Sequence, residues 1–423
     1  MRKMKDSGVE WIGEIPDKWQ TRNLFYLLSL IGSGTTPKGD EYYTGIGIPW
    51  LNTGDLNDGY IYSTNKYVSE NALNDYSALQ VYKPGSIVIA MYGATIGKLG
   101  LTEIELTTNQ ACCVMNTTKE MDRKILFYIL MTAKDYFIFL SYGAGQPNIS
   151  QKTIKHLKIP FANICEQKKI ANYLDTKCSK IDEIIEKQLS IIEKLKEYKL
   201  SIITEAVTSG INPDVEMKDS GSVWFGSIPI NWQMNRLKYV FHIQKDIAGE
   251  EGHTVLSITQ RGIIPKDFSN NEGQFANSYA NYQLVHKGDF AMNHMDLLTG
   301  WVDISKYEGV TSPDYRVFVL NDKNGMCPKY YLYMMQMCYS ARIFYGLGQG
   351  VSGMGRWRLQ ADKFLNFYIP IPPYDEQKKI ADYITDKVNH IEVEIDKRNK
   401  LIKKYQEYKK SLIYEVVTGK KEV

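Results

Sequence analysis

The sequence predicts an α+β protein in which two globular α+β domains are separated by two long antiparallel helices and related by an internal pseudo-twofold repeat. Three observations carry that prediction. KDSGVEWIGEIPDKWQ at residues 5–20 returns as KDSGSVWFGSIPINWQ at 218–233, a constant offset of 213. EQKKIA at 166–171 returns unchanged at 376–381, an offset of 210. Each EQKKIA opens a stretch of apolar residues at heptad spacing. The repeat unit is therefore a domain followed by a helix: residues 1–165 and 211–375 are the expected domains, 166–210 and 376–423 the expected helical spacers.

The elements follow in order. Apolar, β-branched runs at 86–92, 111–115 and 315–320 predict strands, and the patterns at 125–139 and 329–344 predict a short helix in each domain. A weaker internal match aligns 83–97 with 286–300, an offset of 203. Elsewhere the domains diverge, as expected of one scaffold carrying two surfaces, because framework residues set the fold and loops set specificity.

In the first helical region Leu174, Cys178, Ile181, Ile185, Ile192, Leu195, Ile202 and Ala206 form a seam. Adding 210 gives Ile384, Val388, Ile391, Ile395, Ile402, Tyr405, Leu412 and Val416, the same seam in the same frame. Both seams require a partner helix, and two copies in one chain supply it by antiparallel packing. By symmetry the segment at 5–20 should lie where the second helix ends, closing a pseudo-circle. Gly210 and Gly419 follow the last periodic residues as stop signals, and Asp375 is the expected cap of the second helix, with Cys165 a weaker residue at the matching place in the first. The competing use of such helices is dimerisation between chains.

Composition bounds the function. The chain has 423 residues, 43% hydrophobic and 23% charged, enough for more than one core. A net charge of +3 means that phosphate binding would need local patches. Thirty Tyr and seven Trp suit β-sheet packing and polar interfaces. The six Cys show no CxxC spacing and read as free thiols of a reducing compartment. No apolar stretch follows the charged start and none reaches membrane-spanning length, so a cytoplasmic protein is expected.

Candidate contact residues lie in the turns. Asn and Gln can pair with adenine, and Arg with guanine, in a major groove. On that basis the first domain offers Thr36, Lys38, Asn52, Tyr92, Lys98, Gln146, Asn148 and Lys152. The second offers Gln260, Arg261, Asn293, His294, Arg316, Gln349, Arg356 and Arg358, the last two flanking Trp357. Lys168, Lys169, Lys378 and Lys379 are open to a DNA backbone or to a partner.

Signals for catalysis fail one by one. Gly348, Gly350 and Gly353 spell a dinucleotide motif, but no strand leads into it. The run 93–99 imitates a phosphate loop one residue short, with Leu99 where a metal-binding hydroxyl is required, and so reads as a turn. Ile371 replaces the polar residue that an amino-methyltransferase needs before Pro372, Pro373 and Tyr374. The six His show no metal-ligand spacing, and no nucleophile has an evident base. No catalytic residue is expected.

With these motifs in place, the chain resembles the specificity subunits of type I restriction-modification systems. The matching segments are WIGEIPDKW from Trp11, GTTPKGDEYYTGIGIPWLNTGDL from Gly34, KPGSIVIAMYGATIGKLG from Lys83, WFGSIPINW from Trp224, and both copies of EQKKIA. The second domain has no clear match to residues 34–56. The resemblance implies two target-recognition domains, each reading half of an asymmetric bipartite DNA site, and helical regions that set the spacing and dock modification subunits. It also implies that methyl transfer and DNA cleavage, with S-adenosylmethionine, ATP and Mg, belong to modification and restriction subunits, this chain holding no cofactor or metal. The alternatives are a coiled-coil protein-interaction scaffold without DNA specificity, and an enzyme in its own right.

Overall fold

The computed structural model describes residues 2–141, 148–268, 276–349 and 357–423. The chain forms two compact units, Met1–Gln188 with Lys400–Val423, and Leu189–Asn399. Each is mixed α and β, and the fold class expected from the repeat is the one observed.

In the first unit a five-stranded sheet runs in the order Leu28–Gly32, Cys112–Thr117, Ile87–Ala90, Leu99–Thr102, Gly59–Ile61. All pairs are antiparallel except the last. Ile87–Ala90 is buried throughout because the sheet is covered on both faces. Ile87 and Ile89 point to the core formed with the helix Arg123–Thr132, while Val88 and Ala90 point to a second core with Leu51, Leu56 and Ile61. The stretch around Asn52, a candidate expected in a turn, is split. Trp50 and Leu51 are the buried end of a strand, Ile48–Leu51, of a separate four-stranded sheet, and the turn follows.

The second unit repeats the framework with Phe241–Gln244, Arg316–Leu320, Phe290–Met292 and Val302–Ile304 in the corresponding order, backed by the helix Pro328–Ser340. Its satellite is different: two short pairs, Leu256–Thr259 with Gly262–Pro265 and Gln283–Val285 with Gly309–Thr311. This divergence coincides with the segment that lacks a match to residues 34–56.

The long helices are Ile164–Ser209 and Tyr374–Val417, of 46 and 44 residues. Each unit takes the opening turns of one and the closing turns of the other. In the first unit Ile170, Leu174, Cys178 and Ile181 pack with Leu412, Ile413, Val416 and Val417. In the second, Ile203, Ala206 and Val207 pack with Ile380, Ile384 and Val388. The pairing is antiparallel within each unit. Arg2 meets both Glu166 and Glu422, and Asp182 meets Lys409 at 2.6 Å. Of the remaining seam positions Ile192, Ile391 and Ile402 are buried, while Ile185, Leu195 and Ile395 are half-buried.

The capping expectation is reversed. Asn163 caps the first helix, its Oδ1 accepting the Glu166 N–H at 3.0 Å. Pro373 holds that place in the second helix, and Asp375 lies inside the first turn. The stop signals hold: Gly210 and Gly419 adopt φ of 80° and 74°. Gly419 also abuts Pro16, where a Cβ would come within 2.5 Å of the ring.

That contact belongs to the closure expected from the repeat. In the first unit Ile12, Ile15 and Trp19 are buried with the end of the second helix, and Tyr414 Oη donates to the Ile12 carbonyl at 2.9 Å. In the second unit Phe225, Ile228 and Trp232 meet the end of the first helix in the same way. EQKKIA is explained as well. Gln167 and Gln377 are each 2% exposed. Gln167 accepts the Asp122 N–H and donates to the Glu120 and Ala162 carbonyls. Gln377 accepts the Cys327 N–H and donates to the Pro372 carbonyl. Each Gln therefore pins the start of a long helix to the loop that opens its domain's short helix.

Candidate nucleic-acid interface

In the first domain, hydrogen bonds gather the predicted turns. Thr36 Oγ1 donates to Gln110 Oε1 at 2.7 Å, and Gln151 Nε2 donates to Ser33 Oγ at 3.2 Å. The Asn109 N–H donates to the Leu51 carbonyl, next to Asn52, and Met91 N–H to the Ala111 carbonyl. Tyr92 bridges Asn148 in a β-bridge, and Tyr92 is 40% exposed. Asn52 is partly spent on its own turn, its Oδ1 accepting the Gly54 N–H at 2.7 Å. Lys98 closes the 93–97 turn, half-buried. Lys38 and Lys152 are exposed, Lys152 on a short helix capped by Ser150. Gln146 lies outside the described residues. The result is a polar, hydroxyl- and amide-rich rim. Gln110 and Gln151 join it without any sequence motif to announce them.

The second domain is built differently. Gln260 and Arg261 are exposed at the tip of the Leu256–Thr259/Gly262–Pro265 hairpin. Asn293 is half-buried and structural: its Oδ1 accepts the N–H groups of Met295 and Asp296. Gln349 bridges Arg358 and accepts from Gln360 Nε2 at 3.1 Å. Arg356 lies outside the described residues, as do Gly350 and Gly353. His294, Arg316 and Arg358 converge on one cleft of about 490 Å³, together with Lys245, Gln283 and Gln360. Sequence reasoning had no signal for these last three.

His294 and Arg316 are each only 5% exposed. Arg316 sits in a central strand, where it donates through Nη2 to the Leu359 carbonyl at 2.8 Å and lies 5.0 Å from the Phe364 ring centre. Burial, with the neighbouring Arg358 charge, pulls its pKa down to about 10, so the guanidinium remains charged. Burial first, then Arg316 and Arg358, push His294 down to about 3, leaving a neutral imidazole whose Nδ1 has no hydrogen-bond partner.

The four lysines at the helix starts, Lys168, Lys169, Lys378 and Lys379, are exposed beside the buried glutamines. Among the described residues no three His, Cys, Asp or Glu side chains gather as a metal site, and no helix is long and apolar enough to cross a membrane.

Comparison with known proteins agrees with this duplicated arrangement. The family model described as type I restriction modification DNA specificity domain matches residues 16–194 and again 229–404. The chain is 26% identical over 431 residues to the type I restriction enzyme MjaVIII specificity subunit of Methanocaldococcus jannaschii, covering 96% of this chain and 93% of that one. It is 25% identical over 429 residues to the putative MjaX specificity subunit of the same organism, covering 97% and 95%. A solved chain described under complex assembly and conformational transition of the type I R-M system superposes with a TM-score of 0.68 at 12% identity, covering 95% of this chain and 98% of that one. The last likeness is one of fold.

Proposed function

The chain belongs to the type I restriction-modification DNA specificity family, and from that premise we propose how its two halves divide the work. It is a DNA-recognition subunit with two recognition domains, and it is not itself the catalyst. Residues 1–165 and 211–375 are the target-recognition domains, and 166–210 and 376–423 the spacers that hold them. Each domain reads one half of an asymmetric, bipartite site. The observation that carries this is the double match of one specificity-domain model to two halves whose rims differ in chemistry.

The first domain reads through hydroxyls and amides, with Thr36, Asn52, Tyr92, Asn148 and Lys152 at its rim. The second reads through Arg261, Gln349 and Arg358; Gln146 of the first domain and Arg356 of the second are further contacts proposed from the sequence alone. The exposed lysines of both EQKKIA segments meet either the DNA backbone or a partner. Methyl transfer and cleavage reside in modification subunits, two of them, and in restriction subunits. Those partners supply S-adenosylmethionine, ATP and Mg chemistry in the cytoplasm, to which this chain contributes the address.

The test is to reconstitute the chain with its modification subunits and map methylated positions on random-sequence DNA. The expected product is a bipartite site with unlike halves and a fixed, unread spacer, because one chain with two different domains carries no palindromic requirement. Methylation without sequence preference, or at a palindrome, would overturn the reading. A protein-interaction scaffold would retain no DNA even at low salt.

A further inference from the structure

We infer that the cleft of the second domain formed by His294, Arg316 and Arg358 seats one backbone phosphate of the DNA, so that the second half-site is gripped at a buried cationic seat that the first domain lacks. The inference rests on the DNA-recognition reading. Its first support is sign. Among the described residues Arg316, Arg358 and Lys245 line the cleft, and no carboxylate does. The second is the state of Arg316. A guanidinium 5% exposed makes no ion pair among the described residues; its contacts are the Leu359 carbonyl, the Met292 sulfur and the Phe364 ring. A buried charge without a counter-charge is costly, and such a site is completed by an anion from outside.

The third support is His294, equally buried and lining the same cleft, whose Nδ1 has no hydrogen-bond partner. The fourth is the first domain, where the positions equivalent to His294 and Arg316 are Met91 and Cys113, both buried in an apolar core. The fold therefore does not require cations there. A base edge is the poorer occupant, because Arg316 lies beneath the surface and could meet a base only if that base left its stack. Arg358, exposed at the mouth, makes the direct contact through a guanidinium fork that matches phosphate oxygens. Arg316 is a positioning residue: it holds the backbone beside Arg358 through the Leu359 carbonyl and adds its field from behind.

Full-length chain and the variants Arg358→Gln and Arg316→Met are titrated, across a salt series, with labelled duplexes. One carries the methylation-mapped site and one has its second half-site scrambled. Inorganic phosphate serves as a separate probe in thermal melts. Arg358→Gln should lower the slope of log affinity against log salt by about one on both duplexes. Between 50 and 200 mM salt its affinity then falls by a factor about four smaller than that of the wild type. Arg316→Met should move the slope the same way, which loss of packing alone would not do, and millimolar phosphate should raise the wild-type melting temperature more than that of either variant. Unchanged slopes in Arg358→Gln, whose exposed side chain is not needed for folding, overturn the inference and leave the DNA reading intact. So does a loss confined to discrimination at one base pair. If the wild-type chain binds neither duplex at low salt, the DNA reading fails and the phosphate seat fails with it.

Discussion

The two domains hold the same backbone hydrogen bond around opposite chemistry. In the first, Ile149 N–H donates to the Met91 carbonyl at 3.0 Å; in the second, Leu359 N–H donates to the His294 carbonyl at 2.9 Å. On the neighbouring strand Cys113 pairs with Ile89, and Arg316 pairs with Met292. At the rim Asn148 corresponds to Arg358, but Asn148 forms a β-bridge with Tyr92 and Arg358 with Gln349. Three positions thus change from Met, Cys and Asn to His, Arg and Arg, while the main-chain pairing that presents the first two stays fixed. Main-chain bonding carries the fold and leaves the side chains of this corner free to differ, which is how a duplicated scaffold acquires two unlike reading surfaces.

The strongest test of the shared frame lies at the glutamines. Gln167→Ala strands the Asp122 N–H and the Glu120 and Ala162 carbonyls, whereas Gln377→Ala strands the Cys327 N–H and the Pro372 carbonyl. Leaving a buried polar group unpaired costs about 1–3 kcal/mol. The expected losses are roughly 3–5 kcal/mol for the first and about 2–4 for the second. Hydrogen exchange should show loss of protection around each helix start, confined to the unit that carries the change. Equal, sub-kilocalorie effects would mean that the glutamines are not the pins.

An intermediate effect separates the domains by pH. His294 is held near 3 in the folded state against an ordinary value of 6.5, so the folded protein carries fewer protons than the unfolded chain between those values. Stability is complete above pH 6.5 and falls as pH drops toward 3, at a rate of at most about 1.4 kcal/mol per unit. The second unit should therefore weaken between pH 7 and pH 5 more than the first, which has Met91 at that position. His294→Met, borrowing the first domain's residue, should flatten the difference in urea melts. A second unit whose melts do not respond to this substitution at pH 5 would show that the imidazole already protonates without strain.

Much of this architecture was legible in the sequence because it is periodic or repeated. The helix seams, the offset of the EQKKIA copies and the apolar strand runs all come from local spacing, which a helix or strand imposes directly. The cleft was legible only as a set of separate polar residues. Arg316 sits inside RVFVL, a run whose other members are core, and nothing local says that its guanidinium shares a cleft with Lys245, Gln283 and Gln360. The caps misled for a related reason. Asp375 has the right side chain, but the helix begins one residue earlier, at Tyr374, and Pro373 occupies the cap. Gln167 and Gln377 sit within a repeated motif, yet their partners at Asp122 and Cys327 are 45 and 50 residues away. Long-range satisfaction of buried polar groups has no local period to read.

The smallest expected effect concerns the helix pair, where the repeat leaves its most symmetrical mark. Asp182 meets Lys409 at 2.6 Å in the first unit, and Glu392 meets Lys199 at 2.7 Å in the second, so one ion pair occurs twice with acid and base at matching places. Both pairs are partly exposed, and exposed pairs are worth about 0.2–1 kcal/mol. Double-mutant cycles with Asp182→Asn and Lys409→Met, and with Glu392→Gln and Lys199→Met, should give couplings in that range, shrinking as salt rises. The apolar seams beside them should be indifferent to salt. If either coupling instead exceeded about 2 kcal/mol, the pair would be acting as a buried bridge. Charge, rather than the Ile and Leu seam, would then set how the two helices are held in that unit.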